Sequence, residues 1–270
     1  IMFITNNGQL YWLKVYKIPE ASRTAIGKAV VNLINKEQNE KIMATITTKD
    51  FNDDKSLVFF TRKGIVKRTK LSEYKNIRQN GIRAINLDDD DELVSAHIAT
   101  PSTHSILIAT YNGIAIRFPL SDLREIGRVS RGVTGIKFKI KNDFVVGAVM
   151  IENDEDKLFS LSELGVGKQT LAKEYRLQSR GGKGIIAMKL TSKTGNMVNV
   201  LNFNNANLDL MVLTGSGKMI RVDTNKIRDT SRNTSGVKFI TLNDKDKVVH
   251  LSQCPKEEKD LQDLADENNI

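Results

Sequence analysis

One cysteine, Cys254, in 270 residues leaves no internal disulfide to form, and a reducing compartment is the expectation. Aromatic residues make up only 6% of the chain, and Trp12 is the sole tryptophan. That is too little ring surface to stack unpaired bases one after another, or to anchor a protein partner in every repeat. The three histidines, His97, His104 and His250, show no metal-ligand spacing. No apolar run approaches the roughly 18–20 residues of a membrane-spanning helix. The opening Ile-Met-Phe-Ile-Thr is no signal peptide. It reads as the middle of a strand, so the chain is expected to start inside a longer protein. Within the repeated part of the chain no convincing 3.6-residue apolar period of an amphipathic helix appears; a helix is open at most over 256–266.

What the chain has is positive charge and repetition. Lys and Arg total 41 against 32 Asp and Glu, a formal net charge of +9. A protein this basic meets a polyanion, most commonly nucleic acid, with membrane surfaces and acidic proteins as alternatives. Five segments share one pattern: an apolar strand, a turn ending in glycine, then a second strand. The turn glycines are Gly8, Gly64, Gly113, Gly165 and Gly217, 49–56 residues apart. About 20 residues further on, a second glycine (Gly27, Gly81, Gly135, Gly184, Gly236) opens an alternating strand such as NGIRAINL or SGVKFITL. A polar turn then leads into a last strand: LVSAHIA, VVGAVMI, VVHLSQC. Four short strands per repeat of about 50 residues predict the blades of a propeller, an all-β fold with boundaries near residues 55, 104, 156 and 208. A β-solenoid is the alternative. Residues 1–254 form the repeated domain. Residues 255–270 lack repeat character, carry a net charge of −4 and are expected to be an acidic tail.

Charge is partitioned within each repeat. The spans from the turn glycine to the end of the alternating strand (8–33, 64–87, 113–140, 165–190 and 217–242) hold 28 of the basic residues and only 7 of the acidic ones. In a propeller, equivalent segments occupy equivalent radial positions, so a repeated basic segment becomes a basic belt on one rim. Its predicted members are Lys67, Arg68, Lys70, Lys75, Arg78 and Arg83, then Arg117, Arg124, Arg128, Arg131, Lys137 and Lys139, then Arg176, and in the last repeat Arg221, Arg228, Arg232 and Lys238. A curved belt suits duplex DNA that bends along it. Phosphate contacts offset the bending cost of on the order of 1–6 kcal/mol for 20–30 base pairs, without reading sequence.

One loop stands apart: Gln178, Ser179, Arg180, Gly181, Gly182, Lys183, Gly184. Its glycines let the backbone approach a phosphate while basic side chains flank it; a plain interblade connector is the other reading. With KVYKIPEASRTAIGKAVVNLI at 14–34, RTKLSEYKNIRQNGIRAINL at 68–87 and EYRLQSRGGKGI at 174–185, the chain closely resembles the C-terminal domain of the bacterial DNA gyrase A protein over residues 1 to about 254. That resemblance implies a six-bladed β-pinwheel that binds and wraps DNA nonspecifically on its rim in support of negative supercoiling. Gln178, Arg180, Gly181, Gly182, Lys183 and Gly184 match the family's Q-R/K-R-G-G-R/K-G box, and Ser179 departs from it. The family keeps that box in its first blade, so the copy at 178–184 is expected to be secondary and the first box to lie upstream. Also implied are a bacterial cytoplasmic, nucleoid-associated location, a monomeric isolated domain, and partners in the gyrase A N-terminal domain and the gyrase B protein. ATP and Mg are implied only on those other parts, with no cofactor, metal or membrane contact here. The C-terminal domain of the corresponding topoisomerase IV protein and a protein-interaction propeller are the competing identities.

Catalytic readings fail on spacing. Gly215-Ser216-Gly217-Lys218 lacks the upstream Gly and following Ser/Thr of a phosphate loop. Asp88–Asp91 lacks the Gly and Glu of a calcium loop. Tyr11, Tyr16, Tyr74, Tyr111 and Tyr175 all fall in strands or loops between them. No catalytic residue is predicted.

Overall fold

The computed structural model describes residues 1–22, 25–76, 78, 80–203, 208–224, 227–243 and 245–256. Among these residues there are strands and short 3-10 turns but no α-helix. The first repeat forms β1 (Met2–Thr5), β2 (Gln9–Trp12) and β3 (Ile42–Ile46). The second gives β4 (Ser56–Thr61), β5 (Ile65–Lys70), β6 (Ile82–Arg83) and β7 (Leu93–Ala99). The third gives β8 (Ser105–Thr110), β9 (Ile114–Pro119), β10 (Val133–Thr134) and β11 (Val145–Ile151). The fourth gives β12 (Lys157–Ser162), β13 (Val166–Leu171), β14 (Ile185–Ile186) and β15 (Met197–Asn202). The fifth gives β16 (Leu208–Thr214), β17 (Met219–Val222), β18 (Val237–Lys238) and β19 (Val248–Pro255).

Each repeat opens with an antiparallel hairpin whose turn needs a left-handed residue. Gly64 supplies it with φ +82°, and a Cβ there would stand 2.9 Å from the Ile136 carbonyl oxygen. The strand orders are β3-β1-β2-β6, β7-β4-β5-β10, β11-β8-β9-β14, β15-β12-β13-β18 and β19-β16-β17. The first-named strands of all five sheets line one shared cavity of about 440 Å³, which marks the propeller axis. Every residue of β4 and β8 is buried, because these strands have a neighbouring blade on each face. Cores therefore lie between blades. Val58, Phe60 and Val66 of one sheet pack with Ile106, Ile108, Ile116 and Phe118 of the next. Fully burying such side chains contributes about 1.5–3 kcal/mol each.

The structure corrects three expectations. First, a repeat is not a blade. The outermost strand of each four-stranded sheet comes from the following repeat: β6 adds to β2 with Leu10 facing Ile82, and β10 adds to β5 with Val66 facing Val133. β14 and β18 do the same to β9 and β13. A two-residue strand has no periodicity to announce its partner; the unpaired edge of the preceding hairpin takes it up. Second, the exchanged strand of the third repeat begins at Gly132, not Gly135. Gly132 has φ +107°, and a Cβ on it would meet the Val66 carbonyl oxygen at 2.8 Å. Gly81, Gly184 and Gly236 stand in the same relation to the carbonyls of Leu10, Ala115 and Gly167. Gly135 has no left-handed φ. Third, the five repeats give five blades among the described residues, but the first repeat lacks the strand expected after Gly27. Gly27 opens no strand: the described residues include no preceding blade for it to join, Val30–Asn32 is a 3-10 turn, and Ile26 is 99% exposed. At the other end β17 has no outer partner among the described residues.

Pro255 ends β19, and the buried Lys256 amine faces Asp223 at 3.4 Å, so these two residues belong to the last blade. The acidic stretch 257–270 lies outside the described residues.

Candidate nucleic-acid interface

Outermost in each of the first four sheets, the exchanged strands carry the predicted rim. Arg83 and Lys238 lie within them and are exposed. In the last three repeats an arginine recurs four residues before the exchanged glycine. Arg128 precedes Gly132, Arg180 precedes Gly184 and Arg232 precedes Gly236. Each guanidinium reaches back to the preceding exchanged strand. Arg128 Nη1 donates to the Arg83 carbonyl at 2.6 Å, Arg180 Nη1 to the Thr134 carbonyl at 3.3 Å, and Arg232 Nη1 to the Ile186 carbonyl. The hallmark arginine of the glycine-rich loop is thus the middle member of a ladder that ties neighbouring blades along the outer edge.

The loop itself lies on the third repeat. Gly181 N–H donates to the Gly135 carbonyl at 2.6 Å, Lys137 N–H to the Gly182 carbonyl at 2.9 Å, and Gln178 N–H to the Arg117 carbonyl at 2.9 Å. The side chain of Gln178 is only partly exposed, whereas Arg180 and Lys183 are exposed. A cavity of about 660 Å³ beside it is lined by Lys67, Arg68, Arg124, Ser179, Arg180 and Asp122, among others. Arg124, a belt member read from the sequence, thus lies beside the loop.

Exposure sorts the remaining predicted residues. Lys70, Arg78, Lys137, Arg176, Lys183, Arg228 and Lys238 are exposed and make no ion pair among the described residues. Arg131 is exposed but paired with Asp88. Arg68 is half-buried and clamps Ser56 Oγ at 3.0 Å and Glu125 at 3.2 Å; Arg221 is held by Asp209 at 2.7 Å.

Two predicted contacts are corrected. Lys67 is completely buried, its amine donating to the carbonyls of Ala84, at 2.7 Å, and Arg128. Arg117 is 3% exposed and donates to Ser105 Oγ and the Ala172 carbonyl, both at 2.9 Å. The remaining Arg117 nitrogen, Nη2, pairs with Asp154 at 2.7 Å, so neither cation is presented to a ligand in this structure. Lys168, three residues after its turn glycine as Lys67 is, is likewise buried and donates to the carbonyls of Ser231, at 3.2 Å, and Arg232. Desolvation, with the nearby Arg128 charge second, pulls the Lys67 amine down to about 7; desolvation and Arg232 pull Lys168 to about 8. Aligning the repeats on their turn glycines would have paired these lysines; composition could not show that both face inward.

Among the described residues no cluster of three or more potential metal ligands occurs, and no helix is long and apolar enough to cross a membrane. His97 is half-buried, and desolvation of its ring lowers its pKa to about 4.

Five successive matches to the family model of the DNA gyrase C-terminal domain, beta-propeller, cover residues 1–49, 55–100, 104–152, 156–204 and 208–255, one per repeat. The chain belongs to this family. The DNA gyrase A protein of Helicobacter pylori (strain ATCC 700392 / 26695) is 61% identical over 259 residues, which is 96% of this chain and 31% of that protein. Its Campylobacter jejuni counterpart is 54% identical over 303 aligned positions, covering 99% of this chain and 35% of that protein. The chain therefore spans about a third of the length of these curated relatives. Among solved structures, a DNA gyrase A C-terminal domain matches with TM-score 0.79 and 25% identity over 93% of this chain and 81% of that one. The C-terminal domain of DNA topoisomerase IV matches with TM-score 0.83 over 100% of this chain and 84% of that one, but at 22% identity it shares the fold alone. Sequence relatives thus favour gyrase over topoisomerase IV.

Proposed function

We propose that this domain binds duplex DNA without sequence preference and bends it along the outer edges of its blades. The observation that carries the reading is the coincidence of exchange and charge: the strands that close the first four blades from outside lie among the exposed cations Lys70, Arg176, Lys183, Arg228 and Lys238, which make no ion pair among the described residues. Phosphates provide the negative charge these side chains lack inside the protein, and backbone contacts need no base readout. Gln178, Arg180, Gly181, Gly182, Lys183 and Gly184 form a DNA contact point at the seam between the second and third blades. In the parent protein the domain would serve negative supercoiling beside the gyrase A N-terminal domain and the gyrase B protein, whose ATP and Mg chemistry lies outside this chain. Its setting would be the bacterial cytoplasm, at the nucleoid.

The test is a duplex-DNA titration of the whole chain at several salt concentrations, with DNA circularisation as a measure of bending. For about 5–8 neutralised phosphates, log K should fall with log[salt] at about −0.9 per phosphate. A binding constant that barely moves between low and physiological salt would replace DNA with a protein partner.

A further inference from the structure

The first four blades each accept a strand from the next repeat, yet the junctions are not built alike. Three residues after the turn glycine stand Lys67 in the second repeat, Ile116 in the third and Lys168 in the fourth. All three side chains are fully or almost fully buried. The two lysine amines donate to the backbone carbonyls of the ladder arginines Arg128 and Arg232, and each has a second carbonyl partner, Ala84 or Ser231. Isoleucine has no donor, so the Arg180 carbonyl in the third junction receives nothing from Ile116. There the backbone lies down through Gly181, whose N–H meets the Gly135 carbonyl and whose φ is +72°.

We propose that Lys67 and Lys168 are positioning residues: each fixes the main chain of the ladder arginine beside it, and so holds Arg128 and Arg232 in place at the outer edge, where each can meet a phosphate. This inference rests on the DNA-binding reading above. An amine costs more to bury than a methylene chain does, and the low pKa of both lysines reflects that cost. An apolar residue is tolerated at this very position in the third repeat, so packing alone does not require a lysine. What the lysine adds is a donor aimed at the arginine backbone. Arg128 then spans to Arg83, and Arg232 to Ile186, both side chains staying partly exposed.

The experiment uses the full chain carrying Lys67→Met and Lys168→Met together, and each alone, with Ile116→Ala as a control for lost core packing. Without DNA, hydrogen–deuterium exchange is followed in residues 123–132, 172–183 and 227–234. The double variant should exchange at least tenfold faster in 123–132 and 227–234 and at the parental rate in 172–183; each single variant should loosen only its own segment. With DNA, the salt slope of the double variant should become shallower by about two units, one for each arginine released, while Ile116→Ala keeps the parental slope. Unchanged exchange in both arginine segments overturns the proposal. So does a slope change in Ile116→Ala equal to that of the double variant, which would assign the effect to packing. Should the double variant not fold, the single variants decide by the same criteria. If the parent itself shows no salt-dependent DNA binding, the DNA reading falls and the exchange data alone judge the latch.

Discussion

Gly165 and Gly217 occupy the same turn in successive repeats and share a left-handed φ of 77° and 82°, but they have different neighbours. A Cβ on Gly165 would stand 2.6 Å from the Ile240 carbonyl oxygen, in the segment that follows exchanged strand β18. A Cβ on Gly217 would meet nothing within 4 Å, because among the described residues no exchanged strand joins the fifth sheet. Two hairpins with like sequences therefore differ in environment through what the next repeat contributes. In the first four blades the edge is covered and basic; in the fifth it is open, with Met219 66% exposed.

The largest effect expected from this difference is on stability. Gly165→Ala should cost about 2–4 kcal/mol, the left-handed penalty plus a clash with backbone, whereas Gly217→Ala should cost only the conformational part, about 1–2 kcal/mol. Urea unfolding of the two variants checks this, and equal losses would mean that exchange does not shape the turn.

DNA binding gives the second contrast. Arg180→Ala with Lys183→Ala, both on the covered edge, should make the salt slope shallower by about two units. Lys63→Ala with Lys247→Ala should leave it unchanged, because their charges are already met by Asp90 and by Glu163 at 3.3 Å. A parental slope in the first pair would reduce the glycine-rich loop to a connector.

The buried lysines of the second and fourth junctions predict a pH dependence to which the third, with Ile116 at the same position, should not contribute. Lys67 titrates at about 7 when folded but near 10.5 when unfolded, so between those values the unfolded chain binds more protons and stability rises with pH. Lys168 acts likewise above about pH 8. Arg128 and Glu73, one charge of each sign, are the groups that face Lys67. Burial pushes the Tyr74 hydroxyl upward, which makes stability fall again above about pH 10. Melting temperature should therefore climb from pH 7 to 10, and the double Lys→Met variant should show a flatter profile. An identical climb in that variant would place its origin elsewhere.

The smallest effect is expected from the acidic stretch that follows the open fifth blade. Ending the chain at Lys256 keeps the contact with Asp223 and removes 257–270, with one lysine and six acidic residues. A tethered anion competes with DNA for the cationic edge, so truncation should tighten binding by less than about tenfold at low salt and not at all at moderate salt. Identical curves at both salts would leave the stretch without influence on DNA.

Much of this was legible in the letters. Glycine at a hairpin turn, a repeat of about 50 residues and alternating short strands require blades, because only glycine accepts those turns freely and no single repeat can bury both of its faces. The uneven distribution of Lys and Arg along each repeat was likewise a property of sequence, as was the match of 178–184 to the family's box. Three things needed the folded chain. Which hairpin a two-residue strand joins depends on which unpaired edge lies within reach, and that set the exchange and shifted the third-repeat glycine from Gly135 to Gly132. Whether a cation faces water depends on which strand flanks it in space: Lys67 and Lys70 share β5, yet one is sealed against carbonyls and the other is exposed. The link between Arg128, Arg180 and Arg232 is a matter of three-dimensional register, since hydrogen bonds across 45 or more residues leave no local period to read.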